Sequence, residues 1–99
     1  MRLTLVVALF VHPGHEADFE RFETAATAVM GRHGGRVERR MRIGARTDPG
    51  EPDEVHVVTF PDEASFERYG RDPELGALSG LRAAAIRRTI VWRGADVAS

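Results

Sequence analysis

Residues 2–11, Arg-Leu-Thr-Leu-Val-Val-Ala-Leu-Phe-Val, constrain this chain more than any other segment. Their Leu and Val content reads as a β-strand. Leu3, Leu5, Val7, Leu9 and Val11 face one way, and Thr4, Val6, Ala8 and Phe10 face the other. Both faces are apolar, which predicts an interior strand covered on both sides. With 99 residues there is room for one domain, expected over 1–94. A domain of that size buries only roughly 60–65% of its unfolded surface, so pairing with a second copy would stabilise it.

Turn and cap signals divide the remainder. His12-Pro13-Gly14-His15 breaks the strand. A helix is predicted over 16–31, with Glu16, Asp18 and Glu20 near the positive end of its dipole. Its apolar stripe is Phe19, Phe22, Ala26, Val29 and Met30, and Gly34-Gly35 leads out of it. Residues 36–43 alternate, with Val37, Arg39, Met41 and Ile43 on one side and Arg36, Glu38, Arg40 and Arg42 on the other, as expected of an edge strand. A polar connection over 44–53 is long enough to be mobile. A second strong strand covers 54–60. Asp62 is the expected N-cap of a helix starting at Glu63, with Phe66 and Tyr69 one turn apart. Gly70 and Pro73 interrupt that helix, and a second piece is predicted over 74–88 with Leu75, Leu78, Leu81, Ala85 and Ile86 inward. Residues 89–93 read as a last short strand, and 95–99 as a disordered tail.

Composition removes whole classes of function. Fourteen cationic and fifteen acidic side chains give a net charge of −1. That argues against a nucleic-acid binder or a protein of anionic membranes. The absence of cysteine excludes disulfides, thiolate metal sites and cysteine nucleophiles. All fourteen cations are arginine, so no lysine Schiff base can form. This bias, with abundant Ala and Gly, is associated with GC-rich bacterial genomes. The longest apolar stretch, 5–11, is far below the ~20 residues of a membrane span, and no basic leader precedes it. The expected location is the cytoplasm. No nucleotide-binding glycine pattern and no nucleophile elbow occur, so neither cofactor nor metal is expected.

The predicted order β-α-β-β-α-β, with right-handed crossovers, is the ferredoxin-like α+β arrangement with a four-stranded antiparallel sheet. Two helices cover one face of such a sheet. The first strand, apolar on both faces, therefore predicts a homodimer whose sheets stack face to face. At this point the sequence resembles a family. His33-Gly34-Gly35-Arg36, the run from Glu54 to Pro61 (EVHVVTFP), Ala64-Ser65-Phe66-Glu67-Arg68-Tyr69, and Leu81-Arg82 leading to Thr89 are similar to the dimeric α/β-barrel superfamily, nearest to DUF1330-like proteins. The resemblance spans roughly residues 3–94 and implies that fold and a dimer. The superfamily includes cofactor-independent monooxygenases of antibiotic biosynthesis, cyclases, isomerases and haem-degrading enzymes. No histidine lies within the apolar stripe of either helix, which disfavours haem.

His56 stands in an otherwise core-like strand, on the face of Val58 and Phe60. It is either a satisfied strand histidine or a general base in a cavity between sheet and helices. Arg39, flanked by Val37 and Met41 on its side, either pairs with an acid or holds a substrate carboxylate or enolate. The hydroxyl of Tyr69 orients a substrate or reaches water. These three are the candidate catalytic residues, with Trp92, Phe66 and His12 as candidate substrate contacts. The His12/His15 pair reads as solvated turn residues rather than a metal site, and His33 as a helix-end residue. Asp53-Glu54 and Asp62-Glu63 read as capping and solvating acids. The expected function is a cofactor-independent enzyme acting on a hydrophobic, aromatic or polyketide-like metabolite. A non-catalytic ligand-binding or stress-associated dimer, or an accessory subunit, would use the same residues only to bind or pack.

Overall fold

The Leu- and Val-rich first strand takes an interior place in the sheet. In the computed structural model, which describes residues 1–44 and 48–98, the order is β1 (Leu3–Val11), α1 (Glu16–Arg32), β2 (Arg36–Arg42), β3 (Glu54–Phe60), α2 (Glu63–Gly70), α3 (Pro73–Gly76), α4 (Ser79–Ala85) and β4 (Ile86–Arg93). The sheet order is β2-β3-β1-β4, and every neighbouring pair is antiparallel. This is the ferredoxin-like α+β fold. Residues 45–47, inside the connection expected to be mobile, and Ser99, at the end of the expected tail, lie outside the described residues. Residues 94–98 have no regular structure.

Both hydrophobic clusters lie on the helical side of the sheet. Leu9, Val11 and Ile86 pack against Phe19, Phe22 and Ala26 of α1. Leu5, Val58 and Phe60 pack against Met30, Phe66 and Tyr69. The opposite face of the sheet carries Val6, Ala8 and Phe10, paired in register with Val57, Val55, Trp92, Ile90 and Arg88. The molecule is a slab of 40 × 37 × 16 Å, the thickness of one sheet and one helical layer. No described helix is long and apolar enough to cross a membrane.

Two irregularities in the ladder decide which side chains face the helices. Val37 pairs with Val58 and Arg40 with His56, but Arg39 pairs with Val57, and the register shifts between Val37 and Arg39. A bulge adds one residue to a strand and so inverts its alternation beyond that point. Arg39 therefore shares the open face with Val57, and Arg40 takes the helix side. The expectation that Arg39 lies beside Val37 is corrected accordingly. The second shift lies between Phe10, which pairs with Arg88, and Val11, which pairs with Ile86. Arg87 is the extra residue, and the Arg87 and Arg88 guanidinium groups sit 5.1 and 5.4 Å from the Phe10 ring centre.

The helix predicted over 74–88 is shorter and broken. It consists of α3 and α4, and the last strand begins at Ile86 rather than at 89. The pairing of Ile86 with Val11, and the bond from His12 N–H to the Ala85 carbonyl at 2.8 Å, draw the backbone into the sheet ahead of the predicted boundary. Asp62 caps α2 as expected, accepting from Ser65 N–H at 2.7 Å.

The Gly34-Gly35 turn is a steric requirement. Gly34 has φ +75°, and a Cβ there would also meet the Pro61 ring at 2.7 Å. A Cβ on Gly35 would run into Met30 and the Phe60 ring at the centre of the second hydrophobic cluster. Gly35→Ala is expected to cost ~1–3 kcal/mol by overpacking. Thermal unfolding should read that as a fall of about 4–8 °C per kcal/mol in a domain of this size.

Candidate functional site: a cavity between sheet and helices

Between the sheet and the helical layer lies a cavity of about 390 Å³. Its walls are mainly apolar, from Leu5, Val7, Leu9, Phe22 and Val58. A few polar side chains enter it, chiefly His56, Glu23, Tyr69 and Arg82. An apolar cavity with sparse converging polar groups is the usual form of a small-molecule site.

The alternation of β3 aims Glu54 and His56 at the helical layer, and both are only 3% exposed. His56 Nε2 lies 2.9 Å from Glu54 Oε1. Arg40 Nε donates to the same oxygen at 2.5 Å, and its Nη2 to Oε2 at 3.0 Å. Arg42 Nη2 reaches Oε2 at 3.3 Å, and Arg40 also grips Glu20 of α1. Burial pushes the Glu54 carboxyl up, but the hydrogen bonds from Arg40 and His56 outweigh it and hold it below the ordinary value. Glu54 is thus a carboxylate and can only accept, so His56 carries its proton on Nε2. Nδ1, the other ring nitrogen, lies 3.8 Å from Glu23 Oε2. Glu54 is therefore not a solvated turn acid, as its place beside Asp53 implied. Asp53 itself does play a structuring role, accepting from Val11 N–H at 2.7 Å.

Glu23 is the residue that sequence reasoning missed. Burial pushes its carboxyl up, against the pull of His56 and Arg40. The signal was present. Phe19, Phe22, Glu23, Ala26 and Met30 share one helical face, so an acid stands inside the apolar stripe. Tyr69 also lines the cavity, its hydroxyl pushed up to about 12, first by burial and then by the Glu23 charge, so it stays a phenol at neutral pH. Its ring lies 5.5 Å from Phe60, and Phe66 packs on Phe60 at 5.3 Å.

His56, Tyr69 and Phe66 are therefore brought together at one cavity, and three other expected residues are not. Arg39 is turned away by the bulge. Trp92 pairs with Val6 on the open face and is 49% exposed, because strand alternation gives the cavity its neighbour Val91 instead. His12 lies past the end of β1, outside the cavity lining, with its ring 6.1 Å from His15. His15 bonds Asp18 at 3.1 Å, and no group of three or more His, Asp or Glu among the described residues is arranged to hold a metal. His33, at the end of α1, bonds Asp72 at 2.7 Å and so ties α1 to the joint between α2 and α3.

The family described as a domain of unknown function, DUF1330, matches residues 5–94. No curated protein matches. A protein of unknown function from Rhodopseudomonas palustris superposes with a TM-score of 0.80 at 17% identity, over 99% of this chain and 84% of that one. A DABB-family protein with a ferredoxin-like fold from Mesorhizobium loti gives 0.69 at 16% identity, over 98% of both chains. A cofactor-independent oxygenase from Streptomyces nogalater gives 0.68 at 18% identity, over 97% and 95%. Likeness at these identities speaks for the fold.

The two neighbouring arginines provide a direct check of the bulge. Arg40→Ala strips Glu54 of its main partner and is expected to cost ~1–3 kcal/mol. Arg39→Ala, on the open face, should stay within about 0.5 kcal/mol. Urea unfolding of both variants measures the difference, and equal losses would contradict the register.

Proposed function

Since the chain belongs to the DUF1330 family, whose activity is unassigned, the cavity must supply the reading, and we propose a small cofactor-independent enzyme acting on a hydrophobic, aromatic or polyketide-like metabolite. The observation that carries this reading is the orientation of His56, whose Nε2 is held by Glu54 at 2.9 Å while Nδ1 is directed to Glu23 at an apolar cavity. A base held in one tautomer by a carboxylate is suited to proton abstraction. In the proposed step Nδ1 takes a proton from an activated C–H or phenolic O–H, and the electron pair stays on the substrate. The Tyr69 hydroxyl donates to the oxygen on which that charge gathers. For an isomerase or cyclase the proton returns to a different atom. For an oxygenase the electrons pass to dioxygen as co-substrate. The Streptomyces nogalater oxygenase is named as cofactor-independent, so this fold accommodates such chemistry. The competing reading is a non-catalytic binding protein, favoured by the fact that His56 already has Glu54 and Glu23 on its two sides.

Deuterium uptake at C1 of 2-tetralone in D₂O, a simple aromatic ketone with an activated C–H, separates these readings. His56→Gln should slow protein-catalysed exchange by ~10²–10⁴-fold while leaving the melting temperature nearly unchanged. An unstable variant that still exchanges protons at the wild-type rate would make His56 structural.

The open sheet face supports a second part of the proposal, a homodimer through stacked sheets. Val6, Val57, Ile90 and Trp92 form an apolar strip there, with Trp92 half-exposed. Light scattering should give twice 10.9 kDa. Trp92→Asp should give a folded monomer, because a desolvated charge in the interface would be unpaired. A wild-type monomer at micromolar concentration refutes the dimer.

A further inference from the structure

The cavity has a second polar corner, away from His56. Arg82 of α4 is the one arginine among its described lining residues, and Ser79, one turn earlier on the same helix, lines it too. Arg82 Nη2 donates to Thr89 Oγ1 of β4 at 3.0 Å, and no carboxylate among the described residues lies within ion-pair distance of it. Arg32, Arg40, Arg42 and Arg93 are each paired with acids. Arg39, Arg68, Arg71, Arg87 and Arg88 share with Arg82 the lack of a carboxylate partner among the described residues, and of these six Arg82 alone lines the cavity. Arg82 is an exposed residue at the edge of the cavity, so beyond this one hydrogen bond its donors are left to water and open to a ligand. Glu23, an acid that also lines the cavity, stands beside His56 instead. Tyr69 lies between the two influences, since both Glu23 and Arg82 act on its hydroxyl.

Register sets the spacing of the two corners. His56 pairs with Val7 across one edge of β1, and Thr89 pairs with Leu9 across the other. Two inter-strand spacings and a two-residue offset separate them by about 12 Å between Cα atoms. The wall between is apolar, from Leu5, Val7 and Leu9. A ligand that satisfies both corners has a flat apolar body about two fused rings long, with an anionic group at the Arg82 end.

We propose that Arg82, steadied by Thr89, is an anion-recognition site for a carboxylate, which makes the ligand of this cavity an aromatic acid rather than a neutral hydrocarbon-like molecule. A guanidinium meets a carboxylate through two parallel hydrogen bonds, a geometry a neutral amide cannot reproduce. The inference rests on the cavity being the ligand site. It is independent of whether His56 performs chemistry.

The test compares 2-naphthoate with 2-naphthamide, its neutral counterpart, by isothermal titration calorimetry on the full chain. The wild type should bind naphthoate about tenfold or more tightly than the amide, one order of magnitude corresponding to about 1.4 kcal/mol. Arg82→Gln should abolish that preference and leave amide affinity unchanged. Arg82→Lys should keep part of it, and Thr89→Val should weaken it by freeing the guanidinium. Arg87→Gln, on the open face, should change nothing. Equal affinities in the wild type, or a preference that survives Arg82→Gln, overturn the anion site and leave the cavity standing. Failure of both probes to bind overturns the anion site and the cavity reading together.

Discussion

A four-stranded sheet has two faces, and this chain carries helices for one. Most of the architecture follows from that shortage. Leu5, Leu9, Val58 and Phe60 gather both hydrophobic clusters on the helical side, where α1 supplies the long continuous wall. The second crossover cannot match it, because Gly70 and Pro73 split it and Gly76 ends α3 after a single turn. Gly70, Gly76 and Ser79 contribute almost no volume where the pieces meet, and the cavity opens beneath them. On the other face Phe10 is only 2% exposed although no helix packs on it, because the bulge at Arg87 lets two guanidinium groups cover one ring. Val6, Ile90 and Trp92 have no such cover, and Trp92 is left half-exposed.

Burying charge on β3 is the most demanding feature of the helical side. Glu54 is nearly inaccessible and remains ionised because Arg40 meets it with two hydrogen bonds and His56 with a third. In a low-dielectric interior such a network is strong when complete and costly when one member is missing. Its effect on His56 is directional: one nitrogen is committed to Glu54, and the other faces Glu23 at the cavity. Arg40 thus reaches the cavity indirectly, through the carboxylate that sets the tautomer. The arginine that lines the cavity itself is Arg82, on the far side of β1.

Sequence by itself determined the class of fold and the order of its main elements, though not the break between α3 and α4 or the start of β4. The doubly apolar first strand, the stripe of α1, the Asp62 cap and the Gly34-Gly35 turn are local signals, each written in side chains a few residues apart. They were sufficient for a ferredoxin-like sheet with Phe66 and Tyr69 on a covering helix, but not for the face that His56 occupies. Tertiary structure decided what meets what. Period-two alternation put Arg39 with Val37, but a single extra residue in β2 reverses the parity beyond it, and only the pairing with β3 reveals where that residue is inserted. Trp92 followed the same logic, since the choice between it and Val91 depends on the register of β4 against β1. Glu23 and His56 belong to distant segments, so their approach is a property of α1 crossing the sheet and not of either segment. Faces and partners are set by packing between elements, and hydrophobic periodicity within one element carries no information about the register of the next.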